Sequence, residues 1–162
     1  MKNYTFSVII PAHNEEKYIG KCLRSILGAA KYVKPHNVEM IVVANRCTDK
    51  TSDIAKHFGA RVIKNEDKCI SAIRIIVTID ADSRMTKYSL REIKNMLSSG
   101  KYIGGGTMPR FDRMSLGIAV SSMYVAMNIM PIMIKNKAAL SGAMFWCYKR
   151  DFEEIGGFDE TL

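Results

Sequence analysis

Hydrophobic positions along this chain fall into short runs separated by polar turns, and their spacing alternates between strand-like and helix-like. Phe6, Val8, Ile9 and Ile10 make the first run, which stops at Pro11. Its apolar residues occupy both faces of an extended segment, the pattern of a buried parallel strand. Beyond it, Tyr18, Ile19, Cys22, Leu23, Ile26 and Leu27 recur at three- and four-residue steps. That spacing predicts a helix opening at Asn14, Glu15 and Glu16, with Asn14 as its cap and acidic residues suiting its first turn.

The alternation continues. Residues 39–44 (EMIVVA) read as a second strand, followed by the polar turn 45–49 and a helix from about Thr51 to Phe58 that Gly59 ends. Arg61, Val62 and Ile63 give a third strand, and residues 75–79 (IIVTI) a fourth that stops at Asp80. Residues 88–98 have helical periodicity up to Gly100, and residues 101–104 read as a further strand. Strands and helices in turn, joined by short loops, predict a mostly parallel sheet with right-handed crossovers. Ligands of such sheets sit at the carboxyl ends of the strands. The polar clusters 11–15, 45–49 and 80–84 all follow strand ends, so a parallel sheet gathers them on one edge.

Residues 116–134 contain no charged side chain, and Met123, Met127, Met130 and Met133 fall at helical spacing. Three readings stay open. The segment is marginal in length for a membrane span, and Ser121, Ser122, Asn128 and Pro131 weaken that reading. It also suits a helix facing a membrane or a partner, or a buried or half-buried helix in which the methionines fill the core.

Composition narrows the class. The 162 residues are 48% hydrophobic and 25% charged, enough for one folded domain with a real core. A net charge of +8 invites an anionic partner. The Lys and Arg residues are scattered rather than clustered and do not alternate with aromatic residues, so nucleic acid is not expected. Cys22, Cys47, Cys69 and Cys147 show neither a C-x-x-C pair nor zinc spacing. Reduced thiols in a cytoplasmic protein account for them, with Cys22 and Cys147 in the core and Cys47 in a turn. Contact of residues 116–134 with lipid would put the protein at the inner face of the cell membrane.

The sharpest chemical signal is Asp80-Ala81-Asp82. Two carboxylates flanking a small residue just past a buried strand can hold a hard divalent cation, whose preferred ligands are carboxylate and phosphate oxygens. The alternative is that one Asp caps the next helix and the other is solvated. Placement directly after IIVTI favours the ligand site.

An ordered set of motifs resembles the family 2 glycosyltransferases, whose catalytic domain has the GT-A fold. SVIIPAHNEE (residues 7–16) resembles the family's opening strand and nucleotide loop, and IVVANRCTDKT (41–51) its second strand and turn. IVTIDAD (76–82) resembles the metal motif, and IGGFD (155–159) the segment beside the acceptor. The resemblance implies an α/β fold of the GT-A type, a Rossmann-like three-layer sandwich around a mostly parallel sheet. It implies one nucleotide-sugar-binding domain over residues 1–162. Pro11, Ala12 and Glu15 would line the nucleoside pocket, with Asn45 and Asp49 in the second nucleotide-contacting turn. For Asp49, capping the helix at Thr51 is an equal alternative. Arg74 matches an arginine lying over the nucleotide, Asp80 faces ribose or metal, and Asp82 ligates Mn²⁺ or Mg²⁺ on the diphosphate. Gly142 and Asp159 fall on the acceptor side. His13 has no counterpart and reads as an exposed loop residue. The implied chemistry is inverting transfer from a nucleoside-diphosphate sugar to a hydroxyl of a glycan, lipid or other acceptor.

Three departures from the family pattern bear on function. Ala44 stands where an Asp usually binds the base, so base recognition must differ. Arg74 runs directly into Ile75, where relatives carry roughly ten more residues; crossovers need about a dozen, so either a mobile loop belongs between them or a genuine deletion damages the donor pocket. The family's catalytic base is expected beyond Leu162. Two rival functions remain: a sugar nucleotidyltransferase, which wants a Gly-rich phosphate loop that residues 11–14 do not supply, and a non-catalytic nucleotide-sugar-binding or membrane-associated subunit.

Overall fold

A computed structural model describes residues 5–64, 75–107, 115–129, 131 and 143–156. Six strands form one sheet: β1 (Thr5–Ala12), β2 (Asn37–Ala44), β3 (Arg61–Lys64), β4 (Ile75–Ile79), β5 (Gly104–Gly106) and β6 (Met144–Tyr148). Their order is β3-β2-β1-β4-β6-β5. Strand β1 pairs in parallel with β2 and β4, and β2 with β3, while β6 runs antiparallel to both of its neighbours. Strand β6 is therefore the one reversed strand of the six, and the mostly parallel sheet expected from the chain pattern is present.

Helices α1 (Ile19–Ala30), α2 (Thr51–His57) and α3 (Ser89–Ser98) cover one face. Phe6, Val8 and Ile10 of β1 alternate onto that face and are fully buried against Ile19, Leu23 and Ile26 of α1. Leu90, Ile93 and Leu97 of α3 extend the same core beneath β4 and β6. The register sets Val77 beside Trp146 on this face and Thr78 beside Phe145 on the other. Helix α5 (Lys149–Glu154) takes that second face, with Phe152 tilted onto Phe145 at 6.2 Å between ring centres. Helices on both faces make the sheet the middle of three layers.

Several local expectations are corrected. Helix α1 begins at Ile19, with Tyr18 at its cap position and no side-chain cap. Asn14 does not cap it; its backbone is left-handed at φ 54 and its side chain is engaged elsewhere. Gly59 (φ 76) and Gly100 (φ 69) end α2 and α3, each in a backbone conformation that glycine adopts without strain.

Strand β5 is displaced from residues 101–104 to the three glycines 104–106, leaving Tyr102 and Ile103 exposed. Trp146 explains the shift. A Cβ on Gly105 would lie 2.7 Å from Trp146 Cζ2, and one on Gly104 would lie 2.8 Å from the Trp146 carbonyl oxygen. Gly105 lets the strand pass the indole, and Gly104 lets it approach the backbone of β6.

Among the described residues of 116–134 none is fully buried, and Ile118, Ala119 and Ser122 are half-buried. Helix α4 (Leu116–Tyr124) runs into a π-helical segment at Val125–Ile129 and contains no buried residue. Met123 and Met127 are exposed, so these methionines do not fill the core; Met130 and Met133 lie outside the described residues. Cys22 is buried as expected, whereas Cys147 is only half-buried. No described helix is long and apolar enough to cross a membrane. The Arg74–Ile75 junction, where a missing loop is suspected, lies outside the described residues on its Arg74 side.

The Gly105–Trp146 contact gives a direct test. Gly105→Ala should cost about 1–3 kcal/mol, because the added methyl meets a buried ring. Urea unfolding measures it, and wild-type stability in that variant would show that the glycine strand is not held by the indole.

Candidate nucleotide and metal site

Parallel pairing carries β1, β2 and β4 to a common carboxyl edge. Ala12 sits directly opposite Ala44 in the register. Ala12, Ala44 and Ala81 are all buried, at 4%, 6% and 4% exposure. Small residues at the ends of three neighbouring strands form a floor on which a ligand can approach the backbone closely.

The loops above this floor are tied to one another by hydrogen bonds. The Thr48 amide donates to the Asn14 side-chain oxygen at 2.8 Å, and the Glu15 amide to Thr51 Oγ1 at 2.8 Å. His13 Nδ1 lies 2.6 Å from the Asn45 carbonyl oxygen, which makes that nitrogen the donor. The Lys50 amide donates to Glu16 Oε2 at 3.2 Å. Asn14 and Arg46 are the non-glycine residues with positive φ among those described. Both lie in these loops, where the bracing holds a costly backbone conformation in place.

Asp49 braces the start of α2 from one residue before its cap position, Lys50, which has no side-chain cap of its own. Its Oδ1 accepts from the Thr51 amide at 2.9 Å and from the Thr51 hydroxyl, and its Oδ2 accepts from the Glu16 amide at 3.0 Å. Desolvation pushes its pKa up, but the bonds from Thr51 and Glu16 outweigh this and hold the carboxyl below the usual aspartate range. Both oxygens are occupied in bracing the two loops.

Helix α1 anchors the third loop. Ser25 Oγ accepts from the Met85 amide at 2.9 Å and donates to the Cys22 carbonyl at 2.6 Å. The Cys22 thiol contacts the Asp80 carbonyl oxygen at 3.7 Å. Burial first, then the charges of Asp82 and Asp80, push this thiol up to about 12, so it stays protonated and serves as a packing group. Cys47 is half-buried, and its thiol reaches the Ala12 carbonyl oxygen at 3.3 Å. Ser25, Thr51 and the Cys22 contact were not picked out from the chain pattern. The signal available for Thr51 was the D-x-T spacing behind a strand-end turn; nothing local marked Ser25.

Asp80 and Asp82 are both exposed at the mouth of a cavity of about 820 Å³. Ser83, Arg84 and Glu92 add polar groups to its wall, while Met85, Ile93, Met96, Met144 and Trp146 make an apolar side. The Asp80 carboxyl is held above its ordinary range by desolvation and then by the charge of Asp82. Among the described residues no cation forms an ion pair with either carboxylate, and no cluster of three metal-ligating side chains occurs. Two carboxylates with uncompensated repulsion fit a hard cation whose other ligands are phosphate oxygens and water.

Sequence-predicted residues divide accordingly. The structure brings Pro11, Ala12, Glu15, Asn45, Asp49, Asp80 and Asp82 to the one edge. Glu15 is half-buried, and Asn45 donates its amide to the Ala12 carbonyl at 2.9 Å. Arg74, Gly142 and Asp159 lie outside the described residues.

The Asp49 brace yields a pH-dependent expectation. A carboxyl whose folded pKa is depressed adds stability above its unfolded pKa and loses it as pH falls through the folded value. Asp49→Ala should therefore lower the thermal midpoint at pH 7, with a gap to wild type that narrows as pH falls below about 4. Melting curves across that range decide it, and a gap independent of pH would exclude the carboxylate as its cause.

Comparison with known proteins agrees with this geometry. The chain is 39% identical over 59 residues to the 4,4'-diaponeurosporenoate glycosyltransferase of Staphylococcus aureus, covering 36% of this chain and 14% of the relative. It is 46% identical over 50 residues to a dolichyl N-acetyl-alpha-D-glucosaminyl phosphate 3-beta-D-2,3-diacetamido-2,3-dideoxy-beta-D-glucuronosyltransferase of Methanococcus voltae, covering 31% of this chain and 15% of that one. Among solved structures, S. aureus TarS superposes with a TM-score of 0.67 at 21% identity, over 98% of this chain and 51% of TarS. Glucosyl-3-phosphoglycerate synthase of Mycobacterium tuberculosis, in complex with Mn²⁺, uridine diphosphate and glucosyl-3-phosphoglycerate, gives 0.60 at 20% identity, over 91% and 57%. The chain thus spans about half the length of these structures and about one-seventh of the curated relatives. The structural likeness establishes the GT-A fold. The sequence profile of glycosyl transferase family 2 matches residues 7–156, and the chain belongs to that family.

Proposed function

We propose that this chain binds a nucleoside-diphosphate sugar across the carboxyl edge of β2, β1 and β4 and transfers its sugar to an acceptor hydroxyl with inversion. One observation carries the reading. Three braced strand-end loops meet over a floor of alanines, with Asp80 and Asp82 between that floor and an 820 Å³ cavity. The loops supply a place for the nucleoside, and the cavity has room for the sugar and the acceptor.

Pro11, Ala12, Glu15 and Asn45 line the nucleoside side in this reading, and Asp49 holds the two loops in register. Arg74 is assigned to the nucleotide by resemblance alone, as are Gly142 and Asp159 to the acceptor side. Asp82, with Asp80, holds Mn²⁺ or Mg²⁺; bound there, the ion neutralises charge gathering on the leaving diphosphate. The binding of Mn²⁺ and uridine diphosphate by the mycobacterial synthase of the same fold supports this choice. Ala44 gives the base no carboxylate, so Asn45, exposed at the head of the second turn, is the residue placed to contact it. Relatives named for 4,4'-diaponeurosporenoate and for a dolichyl-linked substrate support lipid-borne acceptors beside glycans.

A panel of nucleotide sugars incubated with the protein and Mn²⁺ tests the reaction. Release of nucleoside diphosphate is expected. Pyrophosphate formed from a sugar phosphate and a nucleoside triphosphate would replace this reading with a nucleotidyltransferase, and binding without turnover would leave a non-catalytic binder. For the metal, Asp82→Ala should weaken Mn²⁺-dependent binding of nucleoside diphosphate by at least about tenfold. Unchanged affinity by calorimetry would remove Asp82 from the site.

A further inference from the structure

Helix α4 is apolar on its solvent-facing side as well as on its half-buried one. Ile118, Ala119 and Ser122 form its partly buried side. Leu116, Val120, Met123 and Met127 stand in solvent at 85%, 62%, 58% and 63% exposure. These four recur at helical spacing and make one continuous apolar stripe, flanked by exposed Tyr124. Nothing from residue 115 to 129 is charged. Water-facing helices ordinarily put charge on that side, and a contiguous apolar patch marks an interaction surface.

Two observations identify what covers it. The chain carries a net charge of +8, which complements an anionic surface, while the helix itself offers no charge for a protein partner to pair with. In sequence the segment also lies between two stretches that line the candidate transfer site, Gly106–Thr107 before it and Ala143–Met144 after it. We propose that α4 and the π-helical turn after it rest in the headgroup layer of an anionic lipid bilayer, turning the cavity toward a lipid-anchored acceptor. Basic side chains elsewhere on the surface draw the protein to the membrane, and the stripe inserts. Tyr124, apolar with one polar end, suits the boundary. The helix lies on the membrane rather than spanning it, consistent with its length. The acceptor class rests on the transferase reading; the docking does not.

Flotation with vesicles tests the docking, using phosphatidylcholine alone and phosphatidylcholine with phosphatidylglycerol. The whole chain is compared with Val120→Glu/Met123→Glu/Met127→Glu, whose exposed positions should leave the fold intact by circular dichroism and nucleoside diphosphate binding. Wild type should float with the anionic vesicles at least tenfold more than the variant, and less with the neutral ones. Equal flotation of the two proteins, or none by wild type, overturns the proposal. So does a wild-type oligomer that the variant converts to monomer, since a second copy would then cover the stripe. Donor turnover in vesicle-free solution reads the transferase assignment separately: its absence alongside retained flotation removes the acceptor and keeps the docking.

Discussion

The parallel register of β2, β1 and β4 is the constraint on which the rest depends. Hydrogen bonding along β1 fixes Ala12 opposite Ala44 and Val8 opposite both Met40 and Val77. Three chain segments far apart in sequence therefore leave the sheet at one edge, each turning there because its next residues are polar. The core beneath this edge is ordinary close packing between β1 and the apolar stripes of α1 and α3. It makes the edge rigid, because a one-residue slip would turn Phe6, Val8 and Ile10 away from the helices.

Above the sheet the site is held by polar contacts between loops. Asp49, Thr51, Asn14 and Glu16 exchange hydrogen bonds across loops more than thirty residues apart in sequence. Their effect is preorganisation: two left-handed residues and an exposed turn are kept in one arrangement before a ligand arrives. The Asp80–Asp82 loop is braced differently, from below, through Ser25 and the protonated Cys22 thiol of α1. Asp80 and Asp82 are thereby held close while their charges repel, a cost that a bound cation would relieve.

The outer half of the sheet follows a different logic. Trp146 on the reversed strand β6 occupies space that side chains of β5 would need, and Gly104 and Gly105 accommodate it. That exchange moves the strand away from Tyr102 and Ile103, residues of higher strand propensity, and opens the cavity wall at Gly106 and Thr107. Later in the chain, α4 leaves Leu116, Val120 and Met123 in solvent.

The sequence by itself determined the elements whose local chemistry and packing agree. IIVTI before Asp80, the three- and four-residue spacing of Ile19, Cys22, Leu23 and Ile26, and Gly59 after α2 were each legible, because burial demands a period and helix ends demand special residues. The gathering of three polar clusters on one edge was also legible, as a consequence of parallel pairing. What only the tertiary structure decided depends on partners distant in sequence. Asn14 looked like a helix cap, since Asn before an amphipathic run usually is one, yet its side chain is taken by the Thr48 amide from another loop. The place of β5 was decided by an indole forty residues later in the chain, and the role of Asp49 by Thr51 and Glu16 together. Residues 116–134 were open to reading as core or as interface, because an apolar helix looks the same in sequence whichever way it faces. Orientation belongs to the assembled fold: among the described residues of this segment Ile118, Ala119 and Ser122 are half-buried, and Leu116, Val120, Met123 and Met127 stand outside.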